Sequence, residues 1–161
     1  MTEQVSEAAE DVTKLLEEFL GKGGTFKDLK NFSDGSMEAI YNVAYNLYQV
    51  QKYEDSLKIF KFLGFFDHFN KKYFMGLAAC HQMQQNYQEA VDAYSYAGML
   101  DVNDPHPPLY AGECHLAMAD YEKAESGFYA AVEFAGDNPD YAQTKSRAQS
   151  LLELVRAKQE K

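Results

Sequence analysis

Apolar residues recur along this chain at helical spacing. Ile40, Val43, Ala44, Leu47 and Val50 make one stripe of an amphipathic helix. Upstream, Val5, Ala8, Ala9, Val12, Leu15, Leu16, Phe19 and Leu20 share a face of a helix over 5–20. That helix meets Gly21 and the Gly23-Gly24 pair, a C-terminal stop. Thr25 is placed to cap a short turn running to Leu29, and Ser33 to cap the helix that follows. Near the other end, Asn138-Pro139-Asp140 reads as a cap, a proline at the first helical position and an acid near the positive end of the helix dipole. Leu151, Leu152, Leu154 and Val155 then form the sealing face of a last helix. No window approaches the roughly 18 apolar residues of a membrane span, so membrane insertion is not expected.

The pattern repeats. Tyr53, Tyr87 and Tyr121 are followed by the similar segments YEDSLKIF, YQEAVDAY and YEKAESGF, and each tyrosine lies 34 residues from the next. Ser56, Ala90 and Ala124 fall in register, as do the aromatics Phe60, Tyr94 and Phe128 and the small residues Ala44, Ala78 and Gly112. A small residue in the first helix of a pair facing a small one in the second lets the backbones approach, and the aromatic four residues on fills the space between neighbouring pairs. This pattern resembles the tetratricopeptide repeat. The expected fold is all-α, a tetratricopeptide-repeat superhelix of three helix pairs with an N-terminal amphipathic helix and a C-terminal capping helix. The expected divisions are an N-terminal helical region at 1–36, repeats at 37–70, 71–104 and 105–138, and the capping helix at 139–161.

The first helices of stacked pairs line the concave surface, where ligand chemistry is expected. Tyr41, Tyr45 and Tyr48 form a second stripe about 100° from the packing stripe, and the period does not account for them. One reading places them in the concave groove. In the other they pack beneath the N-terminal helix with their hydroxyls reaching water, and the residues alone leave both open. The same register continues as Met75, Ala79, Gln82 and Met83, then as Leu109, Glu113, Leu116 and Ala117. This surface is apolar and adaptable, with almost no basic residue to clamp a terminal carboxylate, which favours an extended peptide with apolar or proline anchors.

Charge sharpens this picture. The 161 residues carry 25 acids against 15 Lys plus Arg, a formal net charge of -10, so a nucleic-acid partner held by a broad basic face is not expected. From Lys145 onward there are five bases and two acids, so the capping segment is the basic part of an acidic chain. The sequence begins MTEQVSEAAEDV, without the basic start and apolar run of a signal peptide. The 12 Tyr and 11 Phe are the compositional anomaly, and the repeat accounts for only some of them.

Sharper chemistry finds little support. Cys80-His81 and Cys114-His115 suggest a Cys2His2 metal site, but adjacent helical residues point about 100° apart and do not converge on one ion. Equivalent helices about 9–10 Å apart also keep the two thiols beyond disulfide reach. Asp101/Asp104 and Asp137/Asp140 sit at repeat boundaries as capping candidates, GKGG reads as a turn, and Pro105, Pro107 and Pro108 are expected to start the third unit's helix late. No cofactor, metal or catalytic constellation is expected, and the protein is not read as an enzyme.

Three stretches are more particular: GGTFKDL before the repeats, KIFKFLGFFDHFNKKYFMGLAACHQM over 58–83, and YSYAGMLDVNDPHPPLYAGECHLAMADYEKAESGFYAA over 94–131. They closely resemble the class II chaperones of bacterial type III secretion systems, and the likeness covers about residues 12–155. The resemblance implies a bacterial cytoplasmic, ATP-independent chaperone for the hydrophobic translocators that form the pore in the host membrane. It implies a concave groove that holds an extended segment of the form Pro-x-Leu-x-x-Pro. Matching positions are Tyr41, Tyr45 and Tyr48, with Phe66, Asp67, His68 and Phe69 in the following turn, then Tyr73, Met75, Leu77, Ala79 and Gln82, while Leu109 continues the register. It also implies a homodimer through the N-terminal region and first repeat, for which Val12, Leu15, Leu16 and Phe19 are the candidates; packing of that face on its own first repeat is the alternative. A general peptide-binding adaptor of a cytoplasmic assembly is the competing function.

Overall fold

The structure, a computed structural model, describes residues 21–160. The candidate dimer residues Val12, Leu15, Leu16 and Phe19 lie outside the described residues. Within them, α1 (Phe26–Leu29) precedes three antiparallel helix pairs: α2 (Asp34–Gln49) with α3 (Tyr53–Phe66), α4 (Lys71–Met83) with α5 (Tyr87–Leu100), and α6 (His106–Ala117) with α7 (Tyr121–Ala135). A 3-10 turn at Pro139–Tyr141 leads into the last helix, α8 (Ala142–Gln159). Each helix packs chiefly on its neighbours in sequence, and α8 covers α7 and touches α6. This nearest-neighbour pattern defines a solenoid, and the fold is an all-α tetratricopeptide-repeat superhelix closed by a capping helix.

Local chemistry sets the starts. Thr25 and Asp28 form a capping box, in which the Thr25 hydroxyl accepts from the Asp28 amide at 3.3 Å and the Asp28 carboxylate accepts from the Thr25 amide at 3.0 Å. The Ser33 hydroxyl accepts from the Ser36 amide at 3.1 Å and opens α2. The Asn138 side chain also caps, accepting from the Asp140 amide at 3.0 Å, but Pro139 begins a 3-10 turn and the α-helix starts only at Ala142. The proline cluster starts α6 at His106, one residue later than the repeat period predicts from Lys71.

The turns inside the three pairs are copies of one motif. Gln51, Gln85 and Ala119 all adopt left-handed backbone, with φ of 62°, 63° and 58°. The next amide in each case, that of Lys52, Asn86 or Asp120, donates to the carbonyl five residues back at 2.9 Å. This is the Schellman arrangement, which satisfies the carbonyls left open at a helix end and reverses the chain within two residues.

Between the helices of each pair the small positions meet. Ala44, Ala78, Ser56, Ala90 and Ala124 are fully buried, and so are the aromatic wedges Phe60, Tyr94 and Phe128 to within 2%. Burying each ring contributes about 2–3 kcal/mol. In the first pair the Ser56 hydroxyl donates to the Ala44 carbonyl at 2.7 Å, so a polar atom replaces the methyl of the later repeats without being left unsatisfied. The core runs along the molecule as three successive clusters, around Phe60/Leu63, Tyr94/Val91 and Phe128/Leu152. Among the described residues, no helix is long and apolar enough to cross a membrane.

Candidate functional site

The first helices α2, α4 and α6 bring their inner faces together around a cavity of about 480 Å³. Tyr41, Tyr45 and Tyr48 supply one wall from α2, and Met75, Gly76, Ala79, Gln82 and Met83 supply the middle from α4. Tyr110 and Glu113 close it from α6. The tyrosine stripe therefore lines this cavity opposite the second repeat.

The tyrosines are held from behind by other rings. Tyr41 packs edge-on against Phe60 with centroids 5.8 Å apart, lies 6.1 Å from Tyr73 and stacks on Tyr45 at 6.3 Å. Tyr48 meets Tyr53 edge-on at 5.3 Å, and burial pushes its hydroxyl pKa up. Tyr45, the other ring of that stack, is 47% exposed. Aromatic pairs add about 0.5–1.5 kcal/mol beyond area, so Tyr41 and Tyr48 form a stiff wall and Tyr45 an available surface.

Several expected residues sit elsewhere. Tyr73 is only 2% exposed and belongs to the core, where its ring supports Tyr41; a buried ring cannot meet a peptide without repacking. Leu109 is 1% exposed and packs in the third cluster, because α6 turns that side toward Phe128 and Leu152. Phe66 lies between Phe32, Phe62 and Phe65, away from the cavity lining. His68 is in the turn after α3, where its carbonyl accepts from the Tyr96 hydroxyl at 2.8 Å. These two are not brought to the cavity.

The lining also holds residues the sequence reading overlooked. Phe60 and Tyr94 are scaffold rings that also reach the cavity. Lys71 and Lys72 stand at its edge, correcting the expectation of a surface almost without bases. Both lysines are already engaged: Lys71 bonds Asp101 at 2.7 Å and Asp104 at 2.6 Å, while Lys72 pairs with Glu38 and lies 4.3 Å over the Tyr41 ring. The signal for the second pair was available, since Glu38 and Lys72 are one 34-residue period apart and equivalent positions on successive first helices are neighbours.

One end of the cavity is polar. The Tyr94 hydroxyl donates to Gln82 Oε1 at 2.8 Å, and Arg147 of α8 reaches Glu113 Oε1 at 2.5 Å. Burial pushes the Glu113 carboxyl above its ordinary pKa, with Arg147 and Gln82 opposing. Burial likewise raises both thiols, that of Cys114 to about 11. Cys80 and Cys114 are wholly enclosed, so these thiols stay protonated at neutral pH. Among the described residues, no group of three His, Cys, Asp or Glu could hold a metal ion.

A superhelix of tetratricopeptide repeats with an aromatic-walled apolar cavity on its inner face is the architecture of a peptide-binding repeat protein. The tetratricopeptide-repeat family model matches residues 72–104. Low calcium response locus protein H of Yersinia pseudotuberculosis is 38% identical over 145 residues, covering 90% of this chain and 86% of that protein. PcrH, of Pseudomonas aeruginosa, solved with the chaperone-binding region of PopD, is 40% identical with a TM-score of 0.78 over 80% of this chain and 96% of that one. The Yersinia enterocolitica type III secretion chaperone SycD, in complex with a peptide of the translocator YopD, is 36% identical with a TM-score of 0.76, covering 79% and 97%. SycD has also been solved as an alternative dimer. The chain belongs to the class II translocator chaperones of type III secretion systems.

Proposed function

We propose that this protein is an ATP-independent holding chaperone of the bacterial cytoplasm that keeps hydrophobic type III translocators soluble before export. It takes an extended Pro-x-Leu-x-x-Pro-like segment into the groove between Tyr41, Tyr45 and Tyr48 on α2 and Met75, Ala79 and Gln82 on α4. The observation that carries this reading is the apolar cavity on the inner face of a chain whose family members PcrH and SycD were solved with translocator segments.

The physical work is sequestration. Apolar membrane-active segments aggregate when free, and binding lowers their free concentration by mass action. An exterior with a net charge of -10 keeps the complex in solution. Release requires that affinity rest on a few anchors rather than on area, which the exposed Tyr45 ring and the 50%-exposed Met83 provide. Catalysis has no part in this, and the buried, protonated thiols are poor nucleophiles. The N-terminal region, through Val12, Leu15, Leu16 and Phe19, serves as the homodimer contact; Leu15→Glu/Phe19→Glu is expected to shift the light-scattering mass to one chain, and an unchanged mass would refute that contact.

Co-expression with a translocator encoded in the same gene cluster tests the function. The translocator should stay soluble and co-purify with the native chaperone. A translocator equally soluble with and without the chaperone would refute the proposal.

A further inference from the structure

The groove changes character along its length, and its polar end has a structure of its own. Residues at one repeat position run Tyr45, Ala79, Glu113 and all line the cavity, so this position passes from aromatic to acidic between the first and third repeats. The Tyr94 hydroxyl donates to Gln82 Oε1, and Glu113 lines the cavity beside them. The Glu113 side chain is 15% exposed, while its buried Oε1 is taken by Arg147 at 2.5 Å, which leaves Oε2 as the acceptor for a ligand.

We propose that Glu113 is the polar anchor of the groove: its carboxylate accepts main-chain N–H groups of the bound extended segment and thereby sets the segment's register and direction. This rests on the groove reading above and deepens it. An extended segment presents unpaired N–H groups that an apolar groove cannot satisfy, and a carboxylate is the strongest side-chain acceptor for them. Arg147 balances the charge, so no cationic side chain is required of the ligand. Arg147 is a positioning residue that acts through Glu113. The raised pKa supports a binding role, because burial disfavours the ionised form and a glutamine would fill the place at less cost to folding.

The test uses full-length protein and the acetylated, amidated peptide Ser-Ala-Pro-Ala-Leu-Ala-Ala-Pro-Ala-Ser, titrated by NMR. The peptide is then N-methylated at one non-proline amide at a time. With the native protein, one N-methyl group should raise Kd about tenfold, while Glu113→Gln should fold at least as stably by thermal melt and show a penalty of about threefold or less at that amide. In Glu113→Ala the penalty should vanish. Equal penalties in native protein and both variants would overturn the anchor while leaving the groove intact. Failure of the native protein to bind the parent peptide would overturn the groove reading and the anchor together.

Discussion

Single residues decide how closely the helices approach. A Cβ built on Gly76 falls 2.3 Å from Cζ of Phe60, a ring that is 2% exposed and cannot swing away. Gly76→Ala must displace Phe60 or α4, and overpacking of this kind costs about 1–3 kcal/mol. A denaturant melt should show that loss, and because Phe60 also backs Tyr41, peptide affinity should fall with it. Sequence periodicity correctly marked Phe60 as a wedge but not as part of the cavity, since a register position does not tell how far a ring reaches. The same limit explains Tyr73 and Leu109. Each lies near the start of a first helix, where a small rotation decides between groove and core, and both turn inward to 2% and 1% exposure.

At the scale of elements, the helix pairs were legible because the 34-residue period places Ala44, Ala78 and Gly112 opposite Ser56, Ala90 and Ala124. The turns between the helices were not. Their left-handed residue is Gln, Gln and Ala, none of which announces positive φ as glycine does. Left-handed backbone costs an alanine about 1–2 kcal/mol, so Ala119→Gly relieves strain in the last turn while keeping the Asp120 amide bonded to the His115 carbonyl. After allowance for glycine's greater freedom in the unfolded chain, the variant should gain about 0.5–1 kcal/mol in a denaturant melt. Capping was easier to read. Ser33, Thr25 and Asn138 all accept the expected amides, because a cap depends on three or four adjacent residues and on no distant packing.

At the scale of the molecule, a polar node joins the second repeat, the third repeat and the capping helix. Lys71 bonds Asp104, whose carboxylate also accepts from the His106 amide at 2.9 Å and meets its ring at 2.6 Å, while the other ring nitrogen lies 3.2 Å from Thr144 of α8. Burial pushes the Asp104 carboxyl up, but the bonds from Lys71 and His106 outweigh it and its pKa falls below the ordinary 3.8. A depressed folded-state value stabilises the fold above the unfolded value and is lost as pH falls through the folded one, so this contribution disappears below about pH 4. Asp104→Asn should lower stability at neutral pH by about 1.5–3 kcal/mol and flatten the acid limb of a pH-melting profile. This node joins residues up to 38 apart, and no local pattern announces it. The tyrosines divide less cleanly than the period suggests: Tyr41, Tyr45 and Tyr48 line the cavity, and so does Tyr94, a ring on the period. The central claim is that this face binds cargo. The most direct measurement is the Kd for the N-terminal segment of a translocator encoded beside the chaperone, with native protein and with Tyr41→Ala/Tyr45→Ala, each checked for an unchanged helical signal. Loss of two aromatic anchors should raise Kd at least about tenfold, the equivalent of 1.4 kcal/mol. An unchanged Kd in the folded double variant would contradict the account.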